Sequence, residues 1–191
     1  MIETHEPVTR PFAPPSAREQ AQGRGEGSRI AQAWHILATI PDPEVPVVSI
    51  VELGIVRGVM TTSAGLAVVL TPTYSGCPAT DLIERAVRDA LREAGFCDVR
   101  IDYRLSPPWT TDWLAPEARV RLREFGIAPP GACARIDVTG ISPLRRARAA
   151  VPCPRCGSTD TSLLSQFGST ACKAQYRCRS CLEPFDYFKP H

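Results

Sequence analysis

The sequence predicts an α+β fold, a small sheet of three to four strands packed against helices, with a zinc ribbon at the C-terminal end. Three observations predict it. Apolar residues recur at helical spacing in some segments and at a period of two in others, in the order helix, two strands, helix, strand, helix. The connections are rich in Pro and Gly. Two Cys-x-x-Cys pairs fall close to the C-terminal end, as Cys153-Pro-Arg-Cys156 and Cys178-Arg-Ser-Cys181. A chain of 191 residues suffices for one domain of about 100–150 residues and a small satellite. The expected division is a disordered tail at 1–27, an α+β domain at 28–126, a linker at 127–152 and the ribbon at 153–191.

The tail carries Pro7, Pro11, Pro14 and Pro15 and hardly any bulky apolar residue, so it has little surface with which to offset ordering. From Ser28, a candidate N-cap, Ile30, Ala33, Trp34, Leu37 and Ala38 follow the spacing of an amphipathic helix that Pro41 stops. After the proline-rich turn at Pro41–Pro46, Ile50–Met60 and Leu66–Leu70 are expected as strands joined through Ser63, Ala64 and Gly65. A second helix opens at Pro78, places Leu82, Ile83, Ala86, Val87, Ala90, Leu91 and Ala94 on one face, and ends at Gly95. Val99, Ile101, Tyr103 and Leu105 alternate with polar residues as a third strand. A third helix is expected from about Trp113 to Phe125, with Trp109 and Trp113 packing. Gly126, Pro129, Pro130 and Gly131 then break regular structure, and one more strand could lie near Ile136 and Val138.

The 22 Lys and Arg against 20 Asp and Glu give no basis for an obligatory nucleic-acid partner. Arg145, Arg146 and Arg148 are expected as a solvated face. No run reaches the about 18 apolar residues of a membrane helix, and the start of the chain has no signal-like apolar stretch. The expected location is the cytoplasm, without membrane attachment. In a reducing compartment, the Cys-x-x-Cys pairs are better explained by metal than by disulfides. Cys153, Cys156, Cys178 and Cys181 offer four thiolates to a tetrahedral zinc ion, and a site with no open position is structural. Ser162–Phe167 and Lys173–Arg177 could pair as its strands around Gly168, with Phe185, Tyr187 and Phe188 as cover; so small a unit depends on its ion. Cys172 is a fifth candidate, better explained as a buried or spare thiol.

Cys77, in Thr71-Pro-Thr-Tyr-Ser-Gly-Cys77-Pro-Ala79, stands between a strand and a helix. At a helix N-terminus a thiolate is favoured, which is both a nucleophile and a soft metal ligand. The plainer explanation is a small apolar residue at a cap. Gly76 weighs against it by allowing close approach of a ligand. Asp42 and Glu44 could supply oxygen ligands or simply cap a turn, and Cys97 and Cys133 are explained by burial. With only His5, His35 and His191, a Ser-His-Asp or Cys-His arrangement lacks support, as does any phosphate loop. Catalysis by this chain alone is not expected.

Asp42-Pro-Glu-Val-Pro46, Glu52-Leu-Gly-Ile-Val56 and the Cys77 segment resemble the SufT-like metal–sulfur cluster assembly domain family. Trp109-Thr-Thr-Asp-Trp113, Phe167-Gly-Ser-Thr-Ala-Cys172 and Pro184-Phe-Asp-Tyr-Phe188 narrow the resemblance to the PaaD (PaaJ) family of phenylacetate-degradation proteins, over nearly everything from Ser28 onward. The resemblance implies an accessory or maturation role in the multicomponent phenylacetyl-CoA oxygenase, which epoxidises the aromatic ring with a di-iron centre and a flavin/iron–sulfur reductase. It assigns the functional thiolate to Cys77, the acidic loop to Asp42 and Glu44, and the partners to the oxygenase components or their reductase. The cargo would be transient iron or an iron–sulfur cluster, and a homodimer could supply further ligands. The alternative is a non-catalytic structural subunit of the oxygenase; a ribbon that binds nucleic acid is disfavoured by the charge.

Overall fold

The computed structural model describes residues 26–74, 76–131 and 150–190. Most of the expected tail, the strand near Ile136 and Val138, Cys133, the three arginines at 145, 146 and 148, His5 and His191 lie outside the described residues. The described chain is an α+β fold with two small sheets, of three and four strands. No helix in it is long and apolar enough to cross a membrane.

Helix α1 (Glu26–Leu37) buries Ala33, Trp34 and Leu37. It already includes Glu26 and Gly27, so Ser28 is inside the helix and not its cap. The expected first strand divides: Ile50–Gly54 turns, with Leu53 N–H donating to Ser49 O and Gly54 N–H to Val51 O, and β1 is Val56–Thr62. β1 pairs antiparallel with β2 (Gly65–Leu70). Leu66–Leu70 are buried without alternation, as befits a middle strand covered on both faces. Helix α2 (Thr80–Glu93) crosses over to β3 (Val99–Tyr103), parallel to β2, as a parallel pair requires. It buries Ile83, Val87 and Leu91, while Leu82, expected on the same face, is exposed.

The third helical segment begins as a 3-10 turn at Thr111–Trp113 and continues as α3 (Pro116–Phe125), with Pro at the first turn and the left-handed Gly126 as its cap. Two family-like motifs lock together here. Trp109 Nε1 donates to Leu53 O at 2.8 Å. Gly54 has φ +71°, and a Cβ there would stand 2.7 Å from Trp113 Cβ; only glycine fits. Glu52 accepts from Ser49 N–H and Oγ–H and pairs with Arg121 of α3.

The second sheet corrects the sequence in two places. β5 (Thr161–Ser165) and β6 (Lys173–Cys178) pair as expected. The aromatic cover is itself a strand, β7 (Pro184–Phe188), antiparallel to β6. On its far side, β4 (Ile127–Ala128) pairs parallel with β7, although these residues read as the start of a linker. Of the residues that suggested a break, Gly126 caps the helix before the strand, and Pro129, Pro130 and Gly131 follow it. Phe188 and Cys172 accordingly belong to the same buried cluster as Leu53, Trp109 and Leu122, while Ala128, Val151, Cys153, Cys178 and Phe185 form a second one.

Candidate functional site

Two groups of side chains carry chemistry. The first is built from the knuckles. Gly157 N–H donates to Cys153 O, Cys153 N–H to Ser158 O, and the Cys181 N–H donates to Cys178 Sγ at 3.4 Å, so the backbone is folded around the sulfurs. The four Sγ atoms of Cys153, Cys156, Cys178 and Cys181 lie within 4.8 Å of one another. Cys153 and Cys181 sulfurs are 3.7 Å apart and those of Cys156 and Cys178 3.6 Å. A tetrahedron of sulfurs at a zinc–sulfur distance of about 2.3 Å has edges of about 3.8 Å, so the cluster fits a four-coordinate metal. Amide donors from Cys181 and Ser180 hold the Cys178 thiol down, to about 6, which favours the ligating form. Cys172 is outside this set, in agreement with its reading as a separate thiol.

The second group lines a cavity at the seam between the two sheets. Asp42, Glu44, Cys77, Tyr103, Cys172 and Phe188 contribute to its wall, and its volume is about 20 Å³, room for about one water. The proline-rich turn places Asp42 there: its Oδ1 accepts from Glu44 N–H at 2.9 Å and Val45 N–H at 2.8 Å. The capping role and the position at the cavity are therefore compatible. Asp42 is 6 % exposed, and burial pushes its carboxyl up, against the pull of the Val45 and Glu44 amides.

Cys77 precedes α2 by a turn. Its carbonyl accepts from Thr80 N–H at 3.2 Å and Thr80 Oγ1 at 2.8 Å, so it is not the helix cap; that position is Ala79. The expected thiolate does not follow. Burial pushes the Cys77 thiol up, the Ala79 amide draws it down, and the carboxylate of Glu44 pushes it up again. Desolvation and negative neighbours outweigh the helix end. The Tyr74 hydroxyl donates to Cys77 and is itself raised, chiefly by burial.

Cys172 comes from the loop before β6. Its thiol donates to Glu44 Oε2 at 3.2 Å and contacts Thr170 Oγ1 at 3.0 Å. Burial first, and then Glu44, push it up to about 12, against the Thr170 hydroxyl. Lys173, almost fully buried, donates to Glu44 O at 3.3 Å and faces Asp186 at 3.7 Å. Asp42, Glu44 and Cys77 are thus gathered at one cavity, joined by Tyr103 and Cys172, with Tyr74 against the Cys77 thiol. Tyr74 lay within the Cys77 motif itself, whereas nothing in the sequence placed Cys172, read there as a buried or spare thiol, beside Glu44. Cys97, expected to be buried, is exposed, because it follows the last turn of α2 at the protein's edge.

Residues 30–101 match the iron–sulfur cluster assembly protein family, and residues 140–189 match the PaaD zinc β ribbon domain. A protein named as one subunit of a "Putative 1,2-phenylacetyl-CoA epoxidase" of Escherichia coli (strain K12) is 50% identical over 161 residues, covering 84% of this chain and 93% of that protein. An Fe-S protein maturation auxiliary factor of Porphyromonas gingivalis (strain ATCC BAA-308 / W83) is 35% identical over 89 residues, covering 46% of this chain and 84% of that protein. The crystal structure of a DUF59 domain from Bacillus anthracis covers 51% of this chain and 93% of its own, at 24% identity and a TM-score of 0.47.

Proposed function

Because the chain belongs to the PaaD family, which joins an iron–sulfur cluster assembly domain to a zinc β ribbon, we propose that it is an accessory factor for iron or iron–sulfur assembly. Its client would be a ring-epoxidising phenylacetyl-CoA monooxygenase or the reductase of that system. The observation that carries this reading is Cys77, a half-buried thiol outside the ribbon's metal set, facing a cavity beside Asp42, Glu44 and a tyrosine donor. Such a thiol is held protonated until a cation arrives, and it ionises as that cation binds. Iron here is cargo. The ribbon's four thiolates would hold a resident zinc ion that fixes the fold and leaves no coordination position for chemistry.

The naming of the E. coli relative as an epoxidase subunit supports a second reading, a non-catalytic structural subunit of the oxygenase. Replacement of Cys77 by Ser separates the two. Under the assembly reading, the Cys77→Ser strain makes a folded, zinc-loaded protein and an oxygenase system deficient in iron or cluster. Fully metallated, active oxygenase from that strain would leave only the structural subunit, whose mark is stoichiometric co-purification.

A further inference from the structure

Strand β3 is an open edge. It ends the sheet of order β1-β2-β3, and no strand among the described residues lies on its outer side. Leu66 N–H donates to Asp98 O at 2.8 Å and Arg104 N–H to Leu70 O at 2.9 Å, so the even-numbered residues of this stretch turn their backbone groups toward β2. Successive residues of a strand turn theirs to opposite sides, which leaves the N–H and C=O groups of Val99, Ile101 and Tyr103 facing outward. Arg88 reaches this edge, where its Nη1 donates to Val99 O, and the second lone pair of that carbonyl stays available. We propose that β3 pairs antiparallel with β3 of a second copy of this chain, centred on Ile101, so that the sheet runs on through both copies. The proposal stands apart from the reading of Cys77.

Charge selects both the occupant and the register. Side chains alternate between the faces of a strand, and Val99 and Ile101 pack against the core. The opposite face therefore carries Asp98, Arg100, Asp102 and Arg104, which alternate in sign. With Ile101 at the centre, Arg100 of each copy stands opposite Asp102 of the other, and Asp98 opposite Arg104. Every cross-strand contact on this face then joins unlike charges. A slip of two residues sets Arg100 against Arg100 or Asp102 against Asp102, and a slip of one sets charged residues against apolar ones. The backbone agrees. Ile101 meets its counterpart, and Val99 meets Tyr103, as hydrogen-bonded pairs, while the charged residues fall at the non-hydrogen-bonded positions, where Cα atoms approach to about 4.5 Å. Within one copy, Arg100 Nη2 is 2.9 Å from Asp102 Oδ2, whereas Asp98 and Arg104 form no ion pair among the described residues. Arg104 lies near enough to Arg57 that, after burial, it holds that guanidinium's pKa down; a carboxylate from a second copy would relieve the two cations. Charges of one sign along an edge repel a second copy. Alternating charges in this register attract one.

The test is sedimentation equilibrium of full-length, zinc-loaded protein over a concentration series. The wild type should dimerise reversibly. Arg100→Asp makes the centre of the edge wholly acidic and Asp102→Arg makes it wholly basic. Each should weaken self-association by about 10-fold or more, with circular dichroism and zinc content unchanged. An equimolar mixture of the two variants restores every contact between unlike charges and should associate like the wild type. That recovery distinguishes paired charges from a general loss of structure. A wild type that stays monomeric up to about 1 mM overturns the proposal, as does self-association that neither variant weakens, or a mixture that remains monomeric. Protection of the Ile101 amide from hydrogen exchange in a monomeric wild type would show that something other than a second copy covers the edge, and overturns it too. Client metallation in cells, which decides the assembly reading, is a separate measurement.

Discussion

Asp42 shows how one side chain serves both the local turn and the cavity. Its Oδ1 satisfies two amides, and a buried donor left without a partner costs about 1–3 kcal/mol. Asp42→Ala should therefore lower unfolding free energy by about that amount per amide left dry. Asp42→Asn keeps an acceptor oxygen and removes a buried charge, so at neutral pH it should be at least as stable as the wild type. The sign with pH follows from the raised carboxyl. A group whose pKa rises on folding contributes stability below its unfolded pKa, and that contribution is lost as pH rises through the folded value. The advantage of Asp42→Asn in urea unfolding should accordingly shrink as pH falls from neutral toward the ordinary carboxylate range. An advantage that grows on acidification would mean that Asp42 is stabilised as an anion.

At the scale of elements, β7 lies within the four-stranded sheet and packs that sheet against the main core. Its inner residues alternate between the buried clusters, with Phe185 in the ribbon's and Phe188 in the main domain's. β4 continues directly from α3 through Gly126, so the main domain supplies the ribbon's outer strand. Phe188→Ala removes a fully buried ring, a change that costs about 3–5 kcal/mol. It should lower the urea midpoint and make residues 150–190 more susceptible to protease, while Phe185→Ala should chiefly loosen the knuckle cluster. Equal protease resistance of Phe188→Ala and wild type would show that the seam is held by something else, such as the Lys173–Glu44 contact.

For the molecule as a whole, the shared core changes what metal removal should do. A free-standing ribbon would melt by itself when stripped of zinc and leave the α+β domain untouched. Here Cys172 and Phe188 are part of the main cluster, so ribbon and domain are thermodynamically coupled. Chelation, or Cys181→Ala, should lower the melting temperature of the main domain as well as unfold residues 153–190. Two independent transitions, with that of the main domain unmoved, would contradict the coupling.

The sequence by itself determined the local features: the apolar faces of α1 and α2, the buried β2, both knuckles as one ligand set, and Cys77 as a thiol at a strand-to-helix junction. Each depends on spacing over a few residues, and spacing is visible in a string of letters. The tertiary structure alone decided that two residues of an expected linker form β4, that the aromatic cover of the ribbon is a strand, and that Cys172 faces Glu44 instead of the zinc knuckles. It also reversed the expected ionisation of Cys77. A helix end is a local field that motif position suggests, but desolvation and the carboxylates opposite are set by residues brought in from elsewhere in the chain. Which thiols share a cavity depends on how the ribbon docks, a property of packed surfaces that no periodicity encodes.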